Sequence, residues 1–270
     1  MKCKEKILWY TDTHLDKVAP WTLVAFIQRC VREKPKGIFL TGDISSGVLT
    51  IWHLKLLATF VKCPIYFVLG NHDYHFSSIA KMHERIRKLC LKFPNLIWLT
   101  DSNVIELNSE TCLIGTEGWY DAMLGNPKWL KITFDWMFVK EFRDLPNMKE
   151  RIQAFRDLAD QSCTIISKKI EDALALGYKN IYLLTHFPPW KEATRDEGTL
   201  LAPYFLPYNV NLRLGQAIEK AMNGRFKRHL TVLAGHTHND AWIQVTRNIE
   251  CKVNKAKYYD SVRNEEHIFI

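Results

Sequence analysis

No stretch of the sequence approaches the roughly 18 uninterrupted apolar residues that a membrane span needs. The opening MKCKEKILWYTD carries positive charge but no apolar stretch long enough for a secretory signal. A cytoplasmic chain with no membrane partner is therefore expected. Paired cysteines are missing as well. The seven present (Cys3, Cys30, Cys63, Cys90, Cys112, Cys163, Cys251) are an odd set without paired spacing. Several lie inside apolar segments, where a free thiol behaves as a small hydrophobe. This argues against a disulfide framework and suits a reducing compartment. Internal repeats, low-complexity tracts and Gly/Ser linkers are also lacking, so residues 1–270 are expected to form a single domain.

What is present is an ordinary globular composition, with 47% apolar and 24% charged residues, enough chain to bury about three quarters of its unfolded surface. The formal charge of +8 points to anionic partners without choosing among nucleic acid, phosphorylated metabolite and acidic surface. Nine Trp are many for this length and are read mainly as packing residues.

Apolar periodicity orders the first part as βαβαβα. Residues 7–11 (ILWYT), 37–41 (GIFLT) and 64–69 (PIYFVL) are short, continuous and rich in β-branched or aromatic residues, as buried strands are. Leu23, Phe26, Ile27, Cys30 and Val31 recur at helical spacing, residues 50–61 form a less regular helix candidate, and Ile79, Met82, Ile86, Leu89 and Cys90 mark another helical face. This order implies parallel strands joined by crossover helices. Strands at about 96–99, 103–107 and 111–115 resemble a meander.

The aromatic-rich residues 119–149 (Trp119, Tyr120, Trp129, Phe134, Trp136, Phe138, Phe142) read as an inserted cap or lid, with a packed excursion as the alternative. A long helix from Phe155 to Leu174, stopped by Gly177, is followed by a strand at 181–185 and a Pro-rich loop. A helix through Leu214 to Met222, a strand at 230–234 and short strands at 241–260 complete the chain.

Five apolar runs deliver polar groups at the same end. ILWYT is followed by Asp12 and His14, GIFLT by Asp43, and PIYFVL by Asn71, His72 and Asp73. IYLLT is followed by His186, and LTVLA by His236 and His238. In an open α/β sheet the crevice beyond the carboxyl ends of the strands is where ligands bind, so these groups can converge. Carboxylate, imidazole and amide donors without cysteine suit Zn, Mn or Fe. Asp12, His14, Asp43, Asn71, His186, His236 and His238 make seven ligands, which fit two ions that share a carboxylate. Two ions about 3.5–4 Å apart serve in-line displacement at phosphorus. Gly42, Gly70 and Gly235 precede ligands, where the backbone must turn and come close.

In order, D-x-H (Asp12, His14), G-D (Gly42, Asp43), G-N-H-D (Gly70 to Asp73), a lone His after a strand (His186) and G-H-x-H (Gly235 to His238) resemble the calcineurin-like metallophosphoesterase superfamily. The resemblance implies a mixed α/β fold, a four-layer α/β/β/α sandwich with a dimetal site at strand ends. It would place Asp12, His14, Asp43 and His238 on one ion and Asp43, Asn71, His186 and His236 on the other. It would make His72 the group that stabilises the attacked phosphate or protonates the leaving oxygen, with Asp73 holding its ring.

The implied activity is hydrolysis of a small phosphomonoester or phosphodiester, nucleotide or cyclic nucleotide included, by direct attack of metal-bound hydroxide on phosphorus. Mn, Fe, Zn or Ni would serve, with Mn or Fe favoured. A nuclease of the same superfamily is the alternative, and a non-catalytic metal-binding scaffold the third reading. Nucleic acid is thus a less favoured partner than a small phosphorylated substrate.

Around this set, Asp16 reads as a helix N-terminal residue, with contact to a metal-bound water as the alternative. His53, His75, His83, His229 and His267 read as surface or packing residues, His75 being the least secure because it lies just beyond the motif. Tyr120 and Asp121 are placed at a pocket rim, and Trp190 either stacks on a ligand or packs.

Overall fold

The structure, a computed structural model, describes residues 5–128, 133–196, 199–200, 202–260, 262 and 265–270. Cys3 and the insert's Trp129 lie outside the described residues.

Strands β1 (Lys6–Tyr10), β2 (Gly37–Thr41), β3 (Ile65–Val68) and β4 (Leu96–Trp98) alternate with helices α1 (Pro20–Glu33), α2 (Val48–Phe60) and α3 (Ile79–Lys92). The hairpin β5 (Ile105–Asn108) and β6 (Thr111–Gly115) follows, then short helices α4 (Asp135–Phe138) and α5 (Lys140–Arg143) and the long α6 (Met148–Ala175). Next come β7 (Asn180–Leu184), the small pair β8 (Arg195–Asp196) and β9 (Thr199–Leu200), and α7 (Leu212–Met222). The last strands are β10 (His229–Ala234), β11 (Ala241–Thr246), β12 (Ile249–Val253) and β13 (Glu266–Phe269).

These strands make two main sheets, ordered β13-β1-β2-β3-β4 and β11-β12-β10-β7-β6-β5. β1 to β4 are mutually parallel, as are β6, β7, β10 and β12. Residue alternation sets the layers, because successive strand side chains point to opposite faces. Leu8 and Tyr10 of β1 pack with Leu23, Phe26, Leu54 and Met82 under α1 to α3. Ile7 and Trp9 turn the other way, joining Phe39, Tyr66, Leu113, Leu184 and Leu233 between the sheets. The outer face of the second sheet (Ile114, Ile181, Val232) is covered by Ile166 and Ile170 of α6 and Leu214 and Ile218 of α7. Each fully buried aliphatic residue in these layers contributes about 2 kcal/mol. The result is the expected α/β/β/α sandwich.

Caps match the sequence: Ser78 accepts from the Lys81 amide, Asn147 from Glu150 and Asn211 from Leu214, at the starts of α3, α6 and α7. α6 ends at Ala175, just before Gly177 with φ +90°.

The expected meander does not form. β4 pairs in parallel with β3, whereas β5 and β6 form a hairpin in the other sheet. Leu99, in the turn after β4, is fully buried between the sheets and carries the chain from one to the other. Short strands spaced closely in sequence do not specify their partners, and here the inter-sheet core decided.

Within the aromatic segment, Trp119, Tyr120 and Phe142 are buried in the main core, the Phe142 ring 4.0 Å from Phe155. Phe134 is its exposed aromatic among the described residues, with Trp136 and Phe138 half-buried.

Candidate metal centre

Because the core strands are parallel in both sheets, their carboxyl ends meet at one edge, and the five motif loops leave from it. Backbone bonds stitch the loops together: Asp12 N–H donates to Gly42 O (3.1 Å), His14 N–H to Asp43 O (3.0 Å), and Gly235 N–H to His186 O (2.9 Å). Asp12, His14, Asp43, His236 and His238 all adopt positive φ, between 39° and 69°. Left-handed backbone at so many non-glycine residues is strain that the surrounding structure must hold in place. Gly42, with φ +89°, leaves no room for a side chain, since a Cβ would lie 2.6 Å from His186 Nδ1. At Gly70 a Cβ would overlap the Asp43 carboxylate.

Three groups of donor atoms lie within 4.8 Å of one another: Asp12, His14 and His238; Asp43, His186 and His236; and His14, Asp43 and His72. His238 Nε2 is 3.2 Å from Asp12 Oδ1 and 3.3 Å from His14 Nε2. Asp43 lies between the first two groups, Oδ2 3.8 Å from His14 Nε2 and Oδ1 3.5 Å from His186 Nε2. Asn71 completes the second group, its Oδ1 3.1 Å from His186 Nε2.

These residues fit metal ions. Asp12, Asp43, His14 and His186 are essentially inaccessible to solvent, and two buried carboxylates side by side need cationic compensation. Burial pushes the Asp12 and Asp43 carboxyls up, but the facing imidazoles, His238 beside Asp12 and His186 beside Asp43, hold both well below the usual carboxylate range. Burial lowers His14 to about 3 and His236 to about 4, leaving neutral rings with lone pairs to share. His186 is also disfavoured as a cation by burial, yet Asp43 and Asp12 draw it up to about 9. His14 Nδ1 is buried with no partner among the described residues.

Outer groups aim the rings: His186 Nδ1–H donates to Thr41 O (2.8 Å), and His236 Nε2–H to Tyr208 O (2.9 Å). Each bond leaves the other ring nitrogen free to bind metal.

Asp73 is a correction. Its carboxylate accepts from Gly70 N–H (2.8 Å), Ser45 N–H (3.0 Å), Ile44 N–H (3.3 Å) and the Thr50 hydroxyl (2.8 Å), and does not hold the His72 ring. Residues His72–Tyr74 form a 3-10 turn, which points Asp73 into the protein while the His72 ring faces the cleft. Adjacent positions on a helical turn do not face each other. Burial and the nearby Asp43 charge push Asp73 up to about 7. His72 itself has Nε2 3.9 Å from Asp43 Oδ2 and is partly exposed to the cleft.

Other expectations also change. α1 starts at Pro20 after Ala19, so Asp16 caps nothing and instead accepts from Ser46 Oγ (2.8 Å) and Ser45 Oγ (3.3 Å). Asp121 is buried, accepting from the Arg213 and Met123 amides rather than lining a rim, and the Trp190 indole donates to Glu219 in a packing role.

Sequence reasoning missed His75 and Asp135. His75 is buried, its ring 4.5 Å from that of His72 and its Nε2 2.8 Å from Asp135 Oδ1. Asp135 also accepts from Asn71 Nδ2 (2.9 Å), which turns the Asn71 carbonyl toward His186, and from the Tyr120 hydroxyl (3.2 Å). Burial would raise Asp135, but the bonds from His75 and Asn71 hold it low. The position of His75 just past the motif was a weak signal; Asp135, in an irregular segment, gave none.

Lys17 and Tyr258 were also missed. Tyr258 lies with its ring 4.7 Å from His14 and 4.8 Å from His238, and Lys17 Nζ sits 4.1 Å above it. A cleft of about 360 Å³ opens beside the centre, walled by Phe134, Phe205, Tyr208, Asn209 and Asn239 in addition to His72 and His75.

The calcineurin-like phosphoesterase family model matches residues 5–240. The fold is similar to that of a phosphopantetheinyl hydrolase from Mycobacterium tuberculosis, with TM-score 0.69 and 12% identity over 97% of this chain and 93% of that one. It is also similar to a dimetal phosphatase from Danio rerio, with TM-score 0.64 and 8% identity over 98% and 92%. No curated protein matches by sequence. With the family model spanning all five loops of this centre, the chain belongs to the calcineurin-like phosphoesterases and is a hydrolytic, metal-dependent phosphoesterase.

Proposed function

We propose that the chain hydrolyses small phosphomonoesters or phosphodiesters at a two-metal centre. In this reading Asp12, His14, Asp43 and His238 hold one ion and Asp43, Asn71, His186 and His236 the other. The observation that carries it is the placement of Asp43, one carboxylate oxygen toward His14 and the other toward His186. Bound ions would supply Lewis acidity at the phosphoryl oxygens and a water made nucleophilic near neutral pH. Nitrogen and oxygen donors suit Mn, Fe, Zn and Ni, with Mn or Fe favoured.

The chain's own residues do the rest. His72, at the open side of the centre, is the proton donor to the leaving oxygen or the clamp on the attacked phosphate. Asp135 orients Asn71 and His75 from behind. The segment around Thr133 to Asp135 shapes one wall of the cleft, whose size suits a small ester better than a duplex. Free cysteines among the described residues agree with a cytoplasmic setting.

The test is hydrolysis of p-nitrophenyl phosphate and bis(p-nitrophenyl) phosphate by Mn- or Fe-loaded protein from neutral to alkaline pH. A panel of nucleotides, cyclic nucleotides, sugar phosphates and DNA should follow. Turnover of either aryl ester is expected, and inactivity toward both would sink the proposal in favour of a scaffold. A nuclease would instead prefer DNA and lose affinity steeply with salt.

Lys17, held over the Tyr258 ring that packs on His14 and His238, is a cation placed near the centre to meet a phosphate oxygen. Lys17→Ala is expected to raise KM about tenfold, with kcat little changed, since one charge-assisted contact is worth roughly 1.5 kcal/mol or more. Initial-rate kinetics check this; an unchanged KM would remove Lys17 from the site.

A further inference from the structure

The net positive charge of this protein is concentrated on one layer. The segments 20–36, 48–62 and 79–92, which contain α1, α2 and α3, carry eleven Lys or Arg against two Glu, so the rest of the chain is close to neutral. Some of these cations are paired: Lys36 with Glu5, Arg87 with Asp101, Lys88 with Glu84, and Arg29 near Glu265. Among the described residues, Arg32, Lys34, Lys55, Lys81, Arg85 and Lys92 have no carboxylate within ion-pair distance. α2 contains no acidic residue at all.

The same layer is unusually greasy on its outer side. Its inner face packs on the first sheet through Leu23, Phe26, Leu54, Leu57, Met82 and Ile86. Opposite it, Trp21 (76% exposed), Trp52 (53%), Phe60 (53%) and Leu91 (85%) stand in solvent, with Val24, Val48 and Leu49 among them. Exposed tryptophan and aliphatic residues interleaved with unpaired lysine and arginine are what an interfacial surface needs.

We propose that the outer face of α1 to α3 docks on an anionic lipid bilayer. Peripheral attachment needs no spanning segment, and among the described residues no helix is long and apolar enough to cross a membrane. Charge complementarity selects the occupant. A second copy in a two-fold contact would press this basic face against itself. A nucleic acid would satisfy the cations but leave Val24, Val48, Leu49 and Leu91 against phosphate and sugar. A bilayer with anionic headgroups satisfies both, the cations at the headgroups and the Trp, Phe and Leu side chains just below. The N-terminus of α2, next to the exposed Val48 and Leu49, lies against the His72 loop, where the buried Gly47 amide donates to His72 O (3.0 Å).

The test is sedimentation of the full chain with phosphatidylcholine vesicles, with and without about 30% phosphatidylglycerol, at low and high salt. Partitioning at least about tenfold stronger into the anionic vesicles is expected, and weakening as salt rises. Trp21→Ser with Trp52→Ser should lower it about tenfold, and Lys55→Glu with Arg85→Glu should remove the preference for anionic lipid. Hydrolysis of an aryl phosphate should be unchanged in both pairs. Absent or charge-indifferent binding would overturn the proposal, as would wild-type partitioning by both variants. Retention of a DNA duplex without vesicle binding, or a dimer that the Trp variants dissolve without vesicle binding, would overturn it in favour of that other partner.

Discussion

Replacing Asp43 with alanine is expected to empty the metal centre and lower hydrolysis by roughly three orders of magnitude or more, the scale of losing several kcal/mol of Lewis-acid stabilisation. Asp43 is the carboxylate that faces both donor groups, with His14 on one side and His186 on the other. Without it, the imidazoles of His14, His72 and His186 would lose the negative charge that now lies among them. Asp43 Oδ1 also accepts the His72 amide at 2.8 Å, so the loop bearing His72 is held by the same group. Asp43→Asn separates these roles, because it keeps the shape and the amide contact while removing the charge. Elemental analysis of purified variants should find both ions lost or strongly depleted in each, with unchanged circular dichroism. Retention of two ions per chain by a folded Asp43→Ala protein would refute the bridging role.

The second large effect is at His72. His72→Ala is expected to keep both ions and to lose about 10²- to 10⁴-fold in turnover, the range for removing a positioned acid–base group. The loss should be smaller for p-nitrophenyl esters, whose leaving group departs without a proton, than for alkyl esters. A uniform loss across leaving groups would point to phosphate clamping instead of proton donation. Metal content is the other arm. The His72 donor atom falls within 4.8 Å of those of His14 and Asp43, so loss of an ion in His72→Ala would make His72 a ligand and overturn the catalytic assignment.

Much of this centre is legible in the sequence. The ligand-bearing positions follow short apolar runs, and an apolar run of four to six residues ending in Gly-Asp or Gly-Asn marks the carboxyl end of a buried strand by local chemistry alone. The layers were legible for a similar reason, since βαβ order and helical periodicity depend on neighbours in sequence. Sequence adjacency does not bring Asp73 against the His72 ring, because the 3-10 turn points the two side chains apart. Residues 96–115 contain strands of the right length but no local signal of which sheet each joins, so the meander pattern gives way to pairing in two different sheets.

The family, the two-sheet architecture and seven candidate ligands at strand ends can be read along the chain, because each rests on short-range pattern and on the order of motifs. What supports and surrounds those ligands depends on packing in three dimensions. Asp135 reaches His75 and Asn71 from 60 and 64 residues away, Lys17 lies over Tyr258 from the far end of the chain, and the basic, apolar face emerges only when three separate helices lie side by side. Such pairings are set by packing between segments distant in sequence, where no local periodicity or spacing records which side chains will meet.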